Sequence, residues 1–211
     1  MIIKFHKVNL KKKFPLQISR GTHSESQNVF IEIIEDGITA WGESAPGKTE
    51  GATTAIEVEE ALVNLIGEGI EGLSIYEVYQ KGRELKTPPC ALAGLDIALW
   101  DLKAKKAKLQ LNDLLGIPKP TTPTSITVGI NPPEIVKERV ELILNNQQVK
   151  AIKIKLGSPN GIEYDKEIYS QVFESTKSSN ILIRVDANGG WALDDAKEMI
   201  KWLSDRRAEY I

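Results

Sequence analysis

Lys150-Ala151-Ile152-Lys153-Ile154-Lys155-Leu156 decides how the second half of this 211-residue sequence is read. Successive side chains of an extended chain point to opposite faces, so Ile152, Ile154 and Leu156 share one face while Lys153 and Lys155 share the other. Working outward, residues 125–130 read as a strand, 133–145 as a helix, 162–176 as a helix and 181–186 as a strand. Leu193, Ala196, Ile200 and Leu203 then recur at helical spacing. Strands alternating with helices form parallel βαβ units, and Ala208-Glu209-Tyr210-Ile211 reads as the opening of a fourth strand. An eight-stranded barrel takes roughly 250 residues, so the expected fold here is a partial α/β (TIM-type) barrel of about three βα units of eight.

The first half has another rhythm. Residues 2–10 alternate loosely, and 28–34 and 38–41 flank Asp36-Gly37, a hairpin turn signal, so about three antiparallel strands are expected. Ala55, Val58, Leu62 and Leu65 mark one helix. Pro88 opens a second, whose apolar positions Ala91, Leu95, Ala98 and Leu102 and greasy flanks imply burial. Between them these elements make an α+β unit. Gly116-Ile117-Pro118-Lys119-Pro120-Thr121-Thr122-Pro123 is rich in breakers and without period, which places a domain boundary there, with domains at 1–120 and 121–211.

Composition narrows the function classes. With 41% hydrophobic and 27% charged residues the chain can bury a core, and 27 Lys and Arg against 29 Asp and Glu give a net charge of -2. That balance gives no reason to bind nucleic acid or an anionic membrane, so the expected partner is a small molecule, with a homo-oligomer also admitted. Lys11-Lys12-Lys13 and the cluster Lys103, Lys105, Lys106 and Lys108 lack interleaved aromatics and read as solvated surface, the latter offsetting a helix dipole. One cysteine, Cys90, excludes an internal disulfide and fits a reducing compartment. No run has the length of a signal peptide or membrane span, so a cytoplasmic location is expected.

The chemistry concentrates on the lysine strand. Two ammonium groups at strand spacing, roughly 7 Å apart and partly desolvated, lower each other's pKa, and such a lysine acts as a base near neutral pH. The same pattern also suits an edge strand defended by lysines. Asp186 ends the next strand, followed by Ala187-Asn188-Gly189-Gly190. A carboxylate at a strand's C-terminus suits Mg²⁺, and it equally suits a helix-capping loop in which Asp186 pairs with Lys153 or Lys155. Spacing alone leaves both open.

Three stretches carry a family resemblance. Ala91-Leu92-Ala93-Gly94-Leu95-Asp96-Ile97-Ala98-Leu99-Trp100-Asp101-Leu102 resembles the capping-domain helix of the mandelate racemase and muconate-lactonizing families of the enolase superfamily. Lys153-Ile154-Lys155-Leu156-Gly157 resembles their Lys-x-Lys strand, and Asp186-Ala187-Asn188 their first metal-ligand strand. The resemblance runs the length of the chain and implies an N-terminal capping domain over a barrel that abstracts the proton α to a carboxylate and stabilises an enediolate on Mg²⁺. It implies Lys155 as the acid/base, Lys153 as the residue that tunes it and binds the carboxylate, and Asp186 as a metal ligand. Arg20, in the polar stretch 19–27, lies where the family's substrate-covering loop would be, an expected mobile loop whose arginine pairs with a substrate carboxylate. Thr127, at inward parity on the first barrel strand, is a substrate-contact candidate.

The contexts Ile-Lys-Leu-Gly-Ser-Pro-Asn-Gly and Asp-Ala-Asn-Gly-Gly-Trp look most like dipeptide epimerases of the L-Ala-D/L-Glu type. The rivals are o-succinylbenzoate synthase and muconate cycloisomerase, and, from another class, a non-catalytic fragment or assembly protein. The resemblance implies two further acidic ligands and an opposing lysine that this sequence lacks, so the chain is expected to be C-terminally truncated and inactive alone. His6 and His23 are expected to be structural or exposed, and Asp96 and Asp101 to be hydrogen-bonded inside their domain.

Overall fold

The computed structural model describes residues 1–146 and 148–211. It divides into two compact units, Met1–Lys11 with Glu25–Lys119, and Lys12–Ser24 with Pro120–Ile211.

β1 (Ile2–Ile18), β2 (Gly21–Glu35) and β3 (Ile38–Ser44) form a sheet in that order, with β2 and β3 antiparallel, and all of it but residues 12–24 belongs to the first unit. Asp36 and Gly37 both take positive φ, as a tight turn between right-twisted strands requires. Val29, Ile31 and Ile33 alternate onto one face and are fully buried. Against it lie α1 (Ala55–Gly67), α2 (Ile75–Glu84) and α3 (Pro89–Ala107), which contribute Val58, Leu62, Val78, Leu92 and Leu95 to one core. A short α4 (Leu111–Leu114) follows. Glycines let α3 approach the sheet closely: a Cβ on Gly42 would stand 2.0 Å from the Gly94 carbonyl oxygen. Helix α2 escaped the sequence reading, although Ser74 and Glu77 form a reciprocal capping box at its start. Lys105 pairs with Asp101, and Lys106 with Glu35 and Asp36, so part of the basic cluster at the end of α3 is paired rather than simply solvated.

The second unit carries the parallel sheet β4 (Ser125–Val128), β5 (Ala151–Lys155) and β6 (Leu182–Asp186), in sequence order. Helices α5 (Pro133–Leu144), α6 (Ile162–Thr176) and α7 (Leu193–Ser204) alternate with the strands. Val128, Ile152, Ile154 and Val185 bury one sheet face in a core with Val140, Ile168, Val172 and Leu203. In α7 the buried positions are Met199 and Leu203, whereas Leu193 and Ile200, read at the same helical spacing as Leu203, are exposed. Beyond α7, Ala208 bridges Ile183 in parallel and the Val185 N–H donates to the Tyr210 carbonyl, continuing the sheet as the sequence led one to expect. The fold is therefore an α+β capping-type region followed by a partial parallel α/β region, with three strands in the parallel sheet among the described residues.

The stretch 19–27 is not the loop expected. Residues 21–27 belong to β2, and Ser19 and Arg20 form the turn between two long strands. Alternating polar side chains pair as readily as apolar ones where neither face must be buried, so polarity there did not signal a loop. The turn region packs within the second unit: the Ile130 N–H donates to the Gln17 carbonyl, and the Ser19 hydroxyl to the Asn188 carbonyl at 3.3 Å.

Candidate active site

Register places the chemistry on the face of the parallel sheet opposite the helices. Thr127, Lys153 and Arg184 stand side by side across the three strands, and Lys155 stands beside Asp186 one step further on. The ammonium of Lys155 donates to Oδ2 of Asp186 at 2.7 Å, and that of Lys153 lies 3.4 Å from the same oxygen. Both lysines thus share a face and converge on one carboxylate, as alternation predicted. Lys155 is the more enclosed, its side chain 9% exposed against 31% for Lys153.

Burial alone would raise the Asp186 carboxyl, but the hydrogen bond from Lys155, the backbone N–H of Asn188 and the lysine charges outweigh it and hold Asp186 below its ordinary range. The Asn188 N–H reaches Oδ1 at 3.0 Å. A cavity of about 450 Å³ opens beside this cluster, lined by Lys153, Asp186, Asn188, Trp191 and Tyr210 among others. A larger cleft of about 900 Å³ lies in the first unit around Tyr79, Arg83 and Asp96 and contains none of the expected site residues.

The other candidates fare differently. Thr127 is half-buried, in register with Lys153, and its carbonyl accepts from Arg139 at 2.7 Å. Arg20 is exposed at its turn and is not joined to the lysine–aspartate cluster by any hydrogen bond or ion pair among the described residues. Asp101 accepts from the Trp41 N–H and from Lys105, as expected. Asp96 departs from expectation: it has no hydrogen-bond partner among the described residues, and partial burial raises its carboxyl pKa. Helix α3 turns it toward the open cleft rather than into the unit's core.

Two residues of this region escaped the sequence reading. Arg184, buried on the lysine face, donates to Glu209 at 2.6 Å and to the Pro123 carbonyl and Ser125 hydroxyl at 2.8 Å, while its Nη2 has no partner among the described residues. Arg184 lies two positions before Asp186 and so, by the same alternation that pairs Lys153 with Lys155, shares its face. Asp165 is fully buried and accepts from three N–H groups, which only the tertiary structure could show because its donors come from two separate loops.

The fit of this site to Mg²⁺ follows from its donors. Asp186 offers hard carboxylate oxygens, and the buried Oδ1 of Asn188 accepts no hydrogen bond among the described residues, which leaves an oxygen available for such a role. No group of three or more His, Cys, Asp or Glu able to hold a metal occurs among the described residues. Among the described residues, the donors that fit a magnesium ion here are therefore the carboxylate of Asp186 and the Oδ1 of Asn188.

A capping-type region followed by parallel βα units, with two lysines and an aspartate at adjacent strand ends, is the arrangement of the enolase superfamily. The model of the mandelate racemase / muconate lactonizing enzyme N-terminal domain matches residues 2–116, and the chain belongs to that family. It is 57% identical over 207 residues to a protein of Flavobacteria bacterium (strain MS024-2A) named hydrophobic dipeptide epimerase, covering 98% of this chain and 59% of that one. A protein of Roseobacter litoralis with the same name is 48% identical, covering 100% of this chain and 61% of its own length. Among solved structures, the dipeptide epimerase from Enterococcus faecalis V583, complexed with Mg and the dipeptide L-Leu-L-Tyr, superposes with a TM-score of 0.86 at 29% identity. That match covers 98% of this chain and 58% of the other. The chain thus spans about three-fifths of the length of these relatives. No helix among the described residues is long and apolar enough to cross a membrane.

Proposed function

We propose that this chain provides the first part of a Mg²⁺-dependent dipeptide epimerase, in which Lys155 moves the proton α to a carboxylate. The observation that carries the reading is the convergence of Lys155 and Lys153 on Asp186 at the ends of adjacent parallel strands. The names of the relatives support dipeptides as the substrate class, with hydrophobic side chains favoured over L-Ala-D/L-Glu itself.

Each residue's part follows from its surroundings. Lys155 rests as an ammonium held by Asp186, ready to deliver a proton; once it has lost that proton, its short path to the same face makes it the base. Lys153, more exposed on the same face, is placed to pair with a substrate carboxylate. Asp186 is the residue that would hold Mg²⁺, which supplies charge to oppose the enediolate. Thr127 is assigned a substrate contact and Arg20 a carboxylate contact, the latter reached by movement of the turn. Residues 1–120 act as the capping domain and 121–211 as the barrel portion, in a reducing, cytoplasmic setting.

The test is solvent-deuterium incorporation and racemisation of L-Leu-L-Tyr and L-Ala-L-Glu with Mg²⁺. The chain is assayed alone, as Lys155→Ala, and mixed with the C-terminal portion of the Flavobacteria relative. With one carboxylate for the metal, the chain alone is expected not to epimerise; the mixture is expected to, and to lose activity by at least about 10³-fold in Lys155→Ala. An active mixture indifferent to Lys155→Ala would defeat the assignment.

A further inference from the structure

Asp165 is a buried charge for which the proposed chemistry has no use. It lies in the first turn of α6 and is 0% exposed. Its Oδ2 accepts both the Gly157 N–H at 2.8 Å and the Trp191 indole N–H at 2.7 Å, while Oδ1 accepts the Ser158 N–H at 3.0 Å. Gly157 and Ser158 open the loop that follows Lys155; Trp191 lies in the loop that follows Asp186. One carboxylate oxygen therefore ties together the two loops whose strands carry the reacting pair.

The loops are also in backbone contact. The Leu156 N–H donates to the Asp186 carbonyl at 3.1 Å. A Cβ on Gly157 would stand 2.5 Å from the Ala187 carbonyl oxygen, and one on Gly190 would stand 2.7 Å from that of Gly157. Contact this tight leaves room for only one relative placement, and something must hold the loops in it. An ionised carboxylate suits that task because it only accepts, offers lone pairs for three donors at once, and gains from its place at a helix N-terminus.

We propose that Asp165 is a positioning residue that clamps the loop after β5 to the loop after β6 and thereby sets the Lys155–Asp186 pairing. It acts through Gly157, Ser158 and Trp191 and touches no substrate. Its bearing on catalysis rests on the acid/base reading of Lys155, whereas the clamp itself is independent of that reading and can be measured without substrate.

Two variants separate the parts of the clamp. In Asp165→Asn the amide oxygen can keep Gly157 and Trp191, but its NH₂ must then face the Ser158 N–H. Hydrogen exchange at Ser158 is therefore expected to speed up by about tenfold or more, with Gly157 changed less. Trp191→Phe keeps the carboxylate and its charge and cuts only the link between loops, so Ser158 is expected to stay protected within about twofold. The decisive reading is the NMR signal of the Lys155 ammonium in the 211-residue chain, which reports its pairing with Asp186. It is expected to shift in Trp191→Phe and in Asp165→Asn, and to stay in place in Val172→Ala, a core substitution on α6 that lowers stability without touching the clamp.

If Asp165→Asn does not fold, Trp191→Phe and Val172→Ala still decide the matter. An unmoved Lys155 signal in Trp191→Phe, or an equal movement in Val172→Ala, would reduce Asp165 to a structural cap and overturn the proposal. Lys155 proving dispensable for α-proton exchange would instead defeat the proposed function and leave the clamp standing.

Discussion

Replacing Asp186 by Asn should destabilise the second unit more than removing either lysine, because it strands two cations at once. Asp186 Oδ2 lies 2.7 Å from the Lys155 ammonium and 3.4 Å from that of Lys153. At an effective dielectric of about 20 the gross attractions are about 6 and about 5 kcal/mol. Desolvation of the three groups cancels most of this, and breaking a fully buried pair costs about 3–5 kcal/mol. The side chains of Asp186 and Lys153 are 31% exposed, so water relieves part of the loss and about 2–3 kcal/mol is expected. Lys155→Met leaves Asp186 with Lys153 and the Asn188 N–H and should cost only about 1 kcal/mol. The double variant should recover about 1–2 kcal/mol relative to the sum of the single ones. The assay is native-state hydrogen exchange at β5 and β6 amides in EDTA, so that no metal contributes. A loss in Asp186→Asn no larger than in Lys155→Met, or a coupling below about 0.5 kcal/mol, would refute the reasoning.

Further outcomes are expected. The depressed pKa of Asp186 means that its contribution to stability is present above the unfolded carboxyl pKa of about 4 and is lost as pH falls through the lower folded value; acid titration of wild type should show this loss, and Asp186→Asn should lack it. Burial pushes the Tyr169 phenol up to about 12, and its hydroxyl donates to the Arg206 carbonyl, so its contribution is full below about pH 10 and lost as pH rises through about 12. Tyr169→Phe should remove that alkaline limb and lower stability near neutral pH by about 1 kcal/mol in urea unfolding. Gly42→Ala places a methyl 2.0 Å from the Gly94 carbonyl oxygen, forcing α3 off the sheet at a cost of about 3 kcal/mol or more. A thermal midpoint for that variant unchanged within about 2 °C would show that the contact can relax.

Much of this molecule was legible in its sequence because it depends on local rules. Alternation alone put Lys153 and Lys155 on one face, opposite Ile152 and Ile154, and the apolar run before Ala187-Asn188-Gly189-Gly190 ended the next strand on Asp186. Helical spacing found Val58, Leu62 and Leu65, and Asp36-Gly37 marked its turn because few residues accept positive φ. The Ser74–Glu77 capping box is legible in the sequence by the same local logic. What local rules do not contain is partnership between distant segments. The turn at Arg20 was misjudged because a polar stretch becomes a strand or a loop according to what it pairs with, and Asp96 was expected to be satisfied by a partner that its helix does not face. Asp165 shows the limit most plainly. Its residue type and its place near a helix start suggest an ordinary cap, and only the packing of α6 against two loops turns its carboxylate into the meeting point of Gly157, Ser158 and Trp191. Periodicity determines which way a side chain points; what it meets there depends on long-range packing, which no single segment encodes.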